Sequence, residues 1–211
     1  MGFWSNTRRI RALMADDPNA HVGDIAILKM DSIGMDAAPH LRGELVPVQG
    51  WLPELDVESL RTLPPHTFGR AYVDFLDAHD LSPFVLSDGI DAEMRARNTY
   101  GIRYASTHDM LHVLLGFGPD WVGEMGVLAF TCGQGYHRVL WLQALSAWLL
   151  YPFWSRFRMA DLWQAWRKGY AAGAQAPFLL GIRLEDRFDD DLEALRAELS
   201  LPSASTHVGA A

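Results

Sequence analysis

Ile102-Arg-Tyr-Ala-Ser-Thr-His108-Asp109-Met-Leu-His112-Val-Leu-Leu115, then Gly116-Phe117-Gly118-Pro119, then Asp120-Trp-Val-Gly-Glu124-Met-Gly-Val-Leu-Ala-Phe130, reads as helix, break and helix. Tyr104, Leu111, Leu114 and Leu115 recur at the spacing that gives a helix an apolar face. Glycine ends a helix at little cost and proline suits the first turn of the next one, so the break predicts a helix–turn–helix junction. His108 and His112 are four residues apart, which puts both imidazoles on one helix face, and Asp109 lies on the same flank three residues before His112. A second helix folding back brings Glu124 in from the opposite side. Two imidazoles joined by carboxylates suit zinc or iron, whereas oxygen ligands alone suit magnesium. The expected site is therefore a divalent metal, zinc foremost with iron or magnesium as alternatives, held by His108, Asp109, His112 and Glu124.

Working outward, residues 1–50 are expected to be irregular, with one or two short helices between loops. Asp16-Asp17-Pro18-Asn19 marks a turn or helix start, and Gly34, Pro39, Gly43, Pro47 and Gly50 punctuate the rest of that segment. From Val57 the pattern is helical through Leu60, Leu63, Tyr72, Phe75 and Leu76, until Ser82-Pro83 ends it. Asp88-Gly89 is a turn, and Asp91 suits the cap of a helix starting at Ala92. Beyond the central pair, helices are predicted over Val139–Leu150, 161–175 and 185–199, with a terminal tail (203–211) expected to fray. Internal repeats are missing and few stretches alternate with period two. The expectation is an all-α, single-domain helical bundle over 1–211.

Composition limits the function classes. A chain of 211 residues, 49% hydrophobic and 21% charged, can bury a full core. Its net charge of -8 argues against nucleic acid as a partner. One cysteine, Cys132, allows neither an internal disulfide nor a thiolate-type zinc site and points to a reducing compartment. Arg8, Arg9 and Arg11 have no apolar segment after them, so the start does not read as a signal peptide. No stretch reaches the ~20 apolar residues that span a bilayer. The expected location is cytoplasmic, or peripheral on the inner face of a membrane. Val139 to Trp154, with Trp141, Trp148, Phe153 and Trp154, is apolar nearly all round and is expected to be buried. The functional alternative is a wall for a prenyl tail, or an interfacial helix anchored by tryptophans.

A lone His-x-x-x-His on a helix is a weak signal. A zinc-peptidase reading needs Glu after the first histidine as general base, and the shorter Asp109 retracts that base from the metal. The full pattern, His108-Asp109-x-x-His112 followed after eleven intervening residues by Glu124, resembles the signature of the coenzyme Q (ubiquinone) biosynthesis protein 4 family. Leu60 to Leu76, Ser82-Pro83, Arg103-Tyr104, Leu114-Leu115-Gly116, Gly173-x-x-Ala176-Pro177, Glu185-x-Arg187-Phe188, Leu192 to Leu199 and His207-Val208 continue the resemblance in order. It implies a helical fold, a zinc-type site and a metal-dependent oxidative decarboxylase, of the lyase class, acting on a polyprenylated hydroxybenzoate. The alternatives are a non-catalytic prenyl-lipid-binding scaffold of a biosynthetic complex and a divergent tailoring enzyme on another aromatic substrate. The implied partners are a prenylated aromatic molecule or prenyl lipid, other ubiquinone-biosynthesis enzymes, a membrane surface and a second copy as homodimer. Arg70, Arg103, Tyr104 and Arg187, placed in matching blocks, are the expected substrate-binding residues. Two departures stand out. Ala105-Ser106 replaces the family's Arg-Glu, and Ala172-Gly173-Ala174-Gln175 replaces its Asn-Gly-Arg-Arg; both remove cations that would face an anionic ring.

Overall fold

The computed structural model describes residues 3–17, 20–137, 139–154 and 158–203. Pro18, Asn19, His207, Val208 and all of the expected frayed tail except Ser203 lie outside that set, as do the side chains of Phe153 and Trp154. The described helices are α1 (Phe3–Asp16), α2 (Val22–Ile33), α3 (Val57–Arg61), α4 (Phe68–Ala78), α5 (Ala92–Arg97), α6 (Thr99–Leu115), α7 (Trp121–Gly133), α8 (Val139–Trp154), α9 (Met159–Gln175) and α10 (Leu192–Glu198). Tight 3-10 turns cover Pro39–Val48, Leu179–Gly181 and Leu184–Arg187. No strand forms among the described residues, and one isolated bridge joins Thr67 to Asp191. The fold is all-α, as the periodicity predicts. No described helix is long and apolar enough to cross a membrane.

The chain divides into two compact units. Met1–Leu55, Ser82–Thr107 and Leu180–Arg183 form the first; Asp56–Leu81, His108–Leu179 and Leu184–Ala211 form the second. In the first, Ile27 and Leu28 of α2 bury against Ile90, Met94 of α5 and Ile102 of α6, with Leu13 and Ile10 of α1 packed on that cluster. Asp31 on α2 is its polar knot: it accepts from Asn6 at 2.7 Å, from Arg97 at 2.8 Å and from Asn98 at 2.9 Å. Asp91 caps α5 by accepting from the Met94 amide at 2.8 Å, as its sequence position predicts. The first fifty residues hold two helices, of 14 and 12 residues, and then the 3-10 run.

In the second unit α7 and α9 cross at very close range, because glycines face backbone. A Cβ added at Gly169 would strike the Gly126 carbonyl, one at Gly173 the Phe130 carbonyl, and one at Gly133 the Tyr170 carbonyl. Arg196 on α10, almost fully buried, donates to the carbonyls of Val113 at 2.7 Å and Leu114 at 2.9 Å, groups that the end of α6 leaves without helical partners. Two expected helices are each split. The run from Val57 becomes α3 and α4, since Pro64-Pro65 cannot continue a helix and Thr67 caps α4 through the Arg70 amide. The run 185–199 becomes the turn Leu184–Arg187 and then α10, whose cap is Asp191 accepting from Ala194 at 2.8 Å. The expectation that the apolar stretch from Val139 is buried also fails. Only Leu140, Ala144 and Ala147 of its described side chains are buried, while Leu142, Leu145 and Leu149 stand in solvent.

Candidate metal centre

The end of α6 and the start of α7 build the site. Gly116 adopts a left-handed φ of +67°, which stops α6 and lets the Phe117 amide reach back to the His112 carbonyl at 3.0 Å. Asp120 then caps α7, accepting from the Gly123 amide at 2.8 Å, and so sets Glu124 in the first turn, where the helix dipole favours a carboxylate.

These two caps bring three side chains together. One ligand atom each from His108, His112 and Glu124 lies within 4.8 Å of the others. His108 Nε2 is 3.5 Å from one Glu124 oxygen and His112 Nε2 is 3.4 Å from the other. His112 is 1% exposed, and its Nδ1 lies 3.3 Å from the Phe117 carbonyl. A carbonyl only accepts, so Nδ1 is the donor in this contact, and in that tautomer the Nε2 lone pair faces the cluster. That buried Nε2 has no hydrogen-bond partner within bonding geometry. Burial without a partner is costly, and a cation among these donors would relieve it. The ring is held flat against Phe75 of α4, with centroids 5.6 Å apart and planes at 19°.

Asp109 stands differently. Its carboxylate is 3.3 Å from His108 Nδ1, on the side of the ring away from Glu124, and it is not one of the three converging groups. Burial works against protonating His108, but hydrogen bonds to Asp109 and Glu124 outweigh it and raise the imidazole to about 9. Burial likewise opposes the Glu124 charge, yet the hydrogen bond from His108 and the charge of that imidazole hold its carboxyl down at about 2. Burial, helped by Asp109 and Glu185, raises Tyr72 well above an ordinary phenol.

The residues expected to bind substrate have other partners. Arg70 pairs with Asp74 at 2.8 Å, and Arg187 pairs with Glu198 at 2.7 Å and with Asp190. Arg103 is fully buried and donates to the carbonyls of Leu180 and Ile182. Tyr104 is half-buried and stacks on Tyr100, with centroids 6.1 Å apart. Sequence reasoning missed the Phe117 carbonyl and placed Phe75 only in the core. The break at Gly116 was the one available signal for the former.

The family described as coenzyme Q (ubiquinone) biosynthesis protein Coq4 matches residues 52–204. The chain belongs to this family. Among relatives, the mitochondrial ubiquinone biosynthesis protein COQ4 homolog of Bos taurus is 35% identical over 153 residues, covering 71% of this chain and 56% of that protein. The Homo sapiens homolog is 33% identical over 165 residues, covering 73% and 57%. The chain thus spans little more than half the length of the curated relatives it matches. A crystal structure of a Nostoc punctiforme protein, assigned provisionally to ubiquinone biosynthesis, superposes with a TM-score of 0.68 at 20% identity. It covers 95% of this chain and 97% of that one, and the likeness shows a shared fold alone.

Proposed function

We propose that this Coq4-family chain binds one divalent metal ion through His108, His112 and Glu124 and uses the centre to tailor the head group of ubiquinone. The ring carboxylate of a prenylated hydroxybenzoate is replaced by a hydroxyl, with dioxygen as the oxidant and oxygen source, one water consumed, carbon dioxide as the leaving group and hydrogen peroxide as the reduced product. The observation that carries the reading is the buried, unpartnered Nε2 of His112 facing Glu124 and His108. Zinc is the ion best suited to two imidazoles and one carboxylate, with iron and magnesium as the alternatives. When bound, such an ion supplies Lewis acidity toward a phenolate or carboxylate oxygen. The chain's own contribution is positional. Phe117 and Phe75 fix the His112 ring, Asp109 orients His108, and the cap at Asp120 holds Glu124 opposite both. Three protein ligands leave further coordination positions for substrate, the pattern of catalytic rather than structural sites. The mitochondrial names of the relatives and the apolar nature of a prenylated substrate support work at a membrane surface, among other ubiquinone-biosynthesis enzymes.

Purified protein is expected to hold about one metal per chain and to release carbon dioxide from a prenylated hydroxybenzoate, with His112→Ala abolishing both while helical content stays. Full turnover by metal-stripped protein sinks the proposal. One observation favours a second reading: Arg70, Arg103 and Arg187, the cations expected for an anionic ring, are engaged elsewhere. On that reading the chain presents a prenyl lipid to partner enzymes without turnover, and the ligand variants keep lipid binding.

A further inference from the structure

Helix α8 is inverted relative to an ordinary surface helix. Its inward positions are Leu140, Ala144 and Ala147, while Trp141 (48% exposed), Leu142 (66%), Leu145 (58%) and Leu149 (61%) face out. Amphipathic helices normally bury their large apolar side chains and expose polar ones. Here the large groups are outside, and the 16 residues contain no charge. At roughly 1.5 Å per residue the helix is about 24 Å long, too short to span a bilayer yet long enough to lie along one.

The surface continues onto α9. Trp148 meets Trp163 and Trp166 with ring centroids 5.9 Å apart, and Trp141 meets Trp166 and Tyr170 at 6.1 Å. Trp163 and Tyr170 are 54% and 40% exposed. Beside them a recess of about 870 Å³ is lined by Trp163, Trp166, Tyr170, Arg167 and Lys168. Tryptophan and tyrosine with apolar neighbours on one side and basic groups at the rim are the residue types of a membrane interface.

Charge selects the occupant. Residues 139–175 carry Arg156, Arg158, Arg167 and Lys168 against Asp161 alone, a net of +3 in a chain whose total is -8. The Asp161 carboxylate is moreover turned back on the Arg158 amide at the start of α9. A second copy docked face to face would set positive charge against positive charge, whereas an anionic bilayer complements it.

We propose that the outer faces of α8 and α9 bind the surface of an anionic lipid bilayer, with α8 lying in the interfacial plane and Arg158, Arg167 and Lys168 toward the lipid phosphates. This goes beyond the metal-centre reading and is separable from it, because vesicle binding does not require the ligands. Full-length protein is sedimented with vesicles of phosphatidylcholine alone and of phosphatidylcholine mixed with phosphatidylglycerol. Wild type is expected to bind the anionic vesicles, less so as salt rises. The double variant Leu145→Glu, Leu149→Glu loses binding by about tenfold or more, since two leucines no longer leave water. Its melting temperature holds, because both side chains already stand in solvent. Reversing charge with Arg167→Glu and Lys168→Glu weakens binding to anionic vesicles by about tenfold and leaves phosphatidylcholine unaffected. His112→Ala, which tests the metal reading, binds like wild type. A wild-type chain that ignores both vesicle types, or a leucine double variant that binds as wild type does, overturns the proposal. So does a dimer that falls to monomer in the leucine double variant and never takes up lipid, which assigns the face to a second copy.

Discussion

His112 and Asp109 differ by three positions and serve the candidate centre in different ways. His112 turns a buried lone pair toward Glu124, while Asp109 lies behind His108 on its Nδ1 side. A group in that outer position fixes a ligand's orientation, and its loss weakens metal binding by about 10- to 100-fold rather than abolishing it. Asp109→Asn is therefore expected to keep one metal per chain with affinity lowered within that range, and His112→Ala to keep none, as read by competition with a chromogenic chelator. An Asp109→Asn protein that also comes out metal-free makes Asp109 a direct ligand. The two imidazoles were legible in the sequence because a spacing of four has one meaning on a helix. The Phe117 carbonyl was not, since a backbone oxygen has no residue identity and its direction depends on the left-handed Gly116.

Helices lend the site its rigidity, and α7, which carries Glu124, is seated on α9 through glycine. Gly173 faces the Phe130 carbonyl with no room for a methyl group, and Gly169 faces Gly126 in the same way. Gly173→Ala gains helix propensity but forces backbone apart, so a net loss of about 1–3 kcal/mol is expected in denaturant unfolding. Metal affinity should fall alongside, because the displaced helix takes Glu124 with it; an unchanged midpoint counts against the close crossing. Helix existence was legible where a cap preceded an apolar rhythm, as at Asp91 and Asp120. Boundaries were lost where prolines or aspartates broke one rhythm into two, at Pro64-Pro65 and near Asp191. The exposed side of α8 was unreadable for another reason. When nearly every position is apolar, periodicity cannot say which face turns inward, and only the inward spacing of Ala144 and Ala147 hints at it.

At the scale of the whole molecule, acid and metal should act on different units. Asp31 ties α1, α2 and the α5–α6 junction of the first unit, and its hydrogen bond with Arg97, backed by Asn98 and Asn6, holds its carboxyl far below the usual range. A depressed folded value means stability that is present above about 3.8 and lost as pH falls through the folded value. Asp31→Ala is expected to cost about 1–3 kcal/mol at neutral pH. The gap from wild type should close in strong acid, as urea melts across pH will show. The three converging ligands, by contrast, all belong to the second unit. An ion that binds only the folded state adds about 2.7 kcal/mol when it is 100-fold above its dissociation constant. Chelation should therefore raise amide hydrogen exchange across residues 108–133, where the ligands and their caps sit. Protection at Ile27, Leu28 and Met94, in the core of the first unit, should change little. If those core amides lost as much protection as α7, the ion would be stabilising the chain as one cooperative body, and the assignment of its effect to the α6–α7 junction would fail.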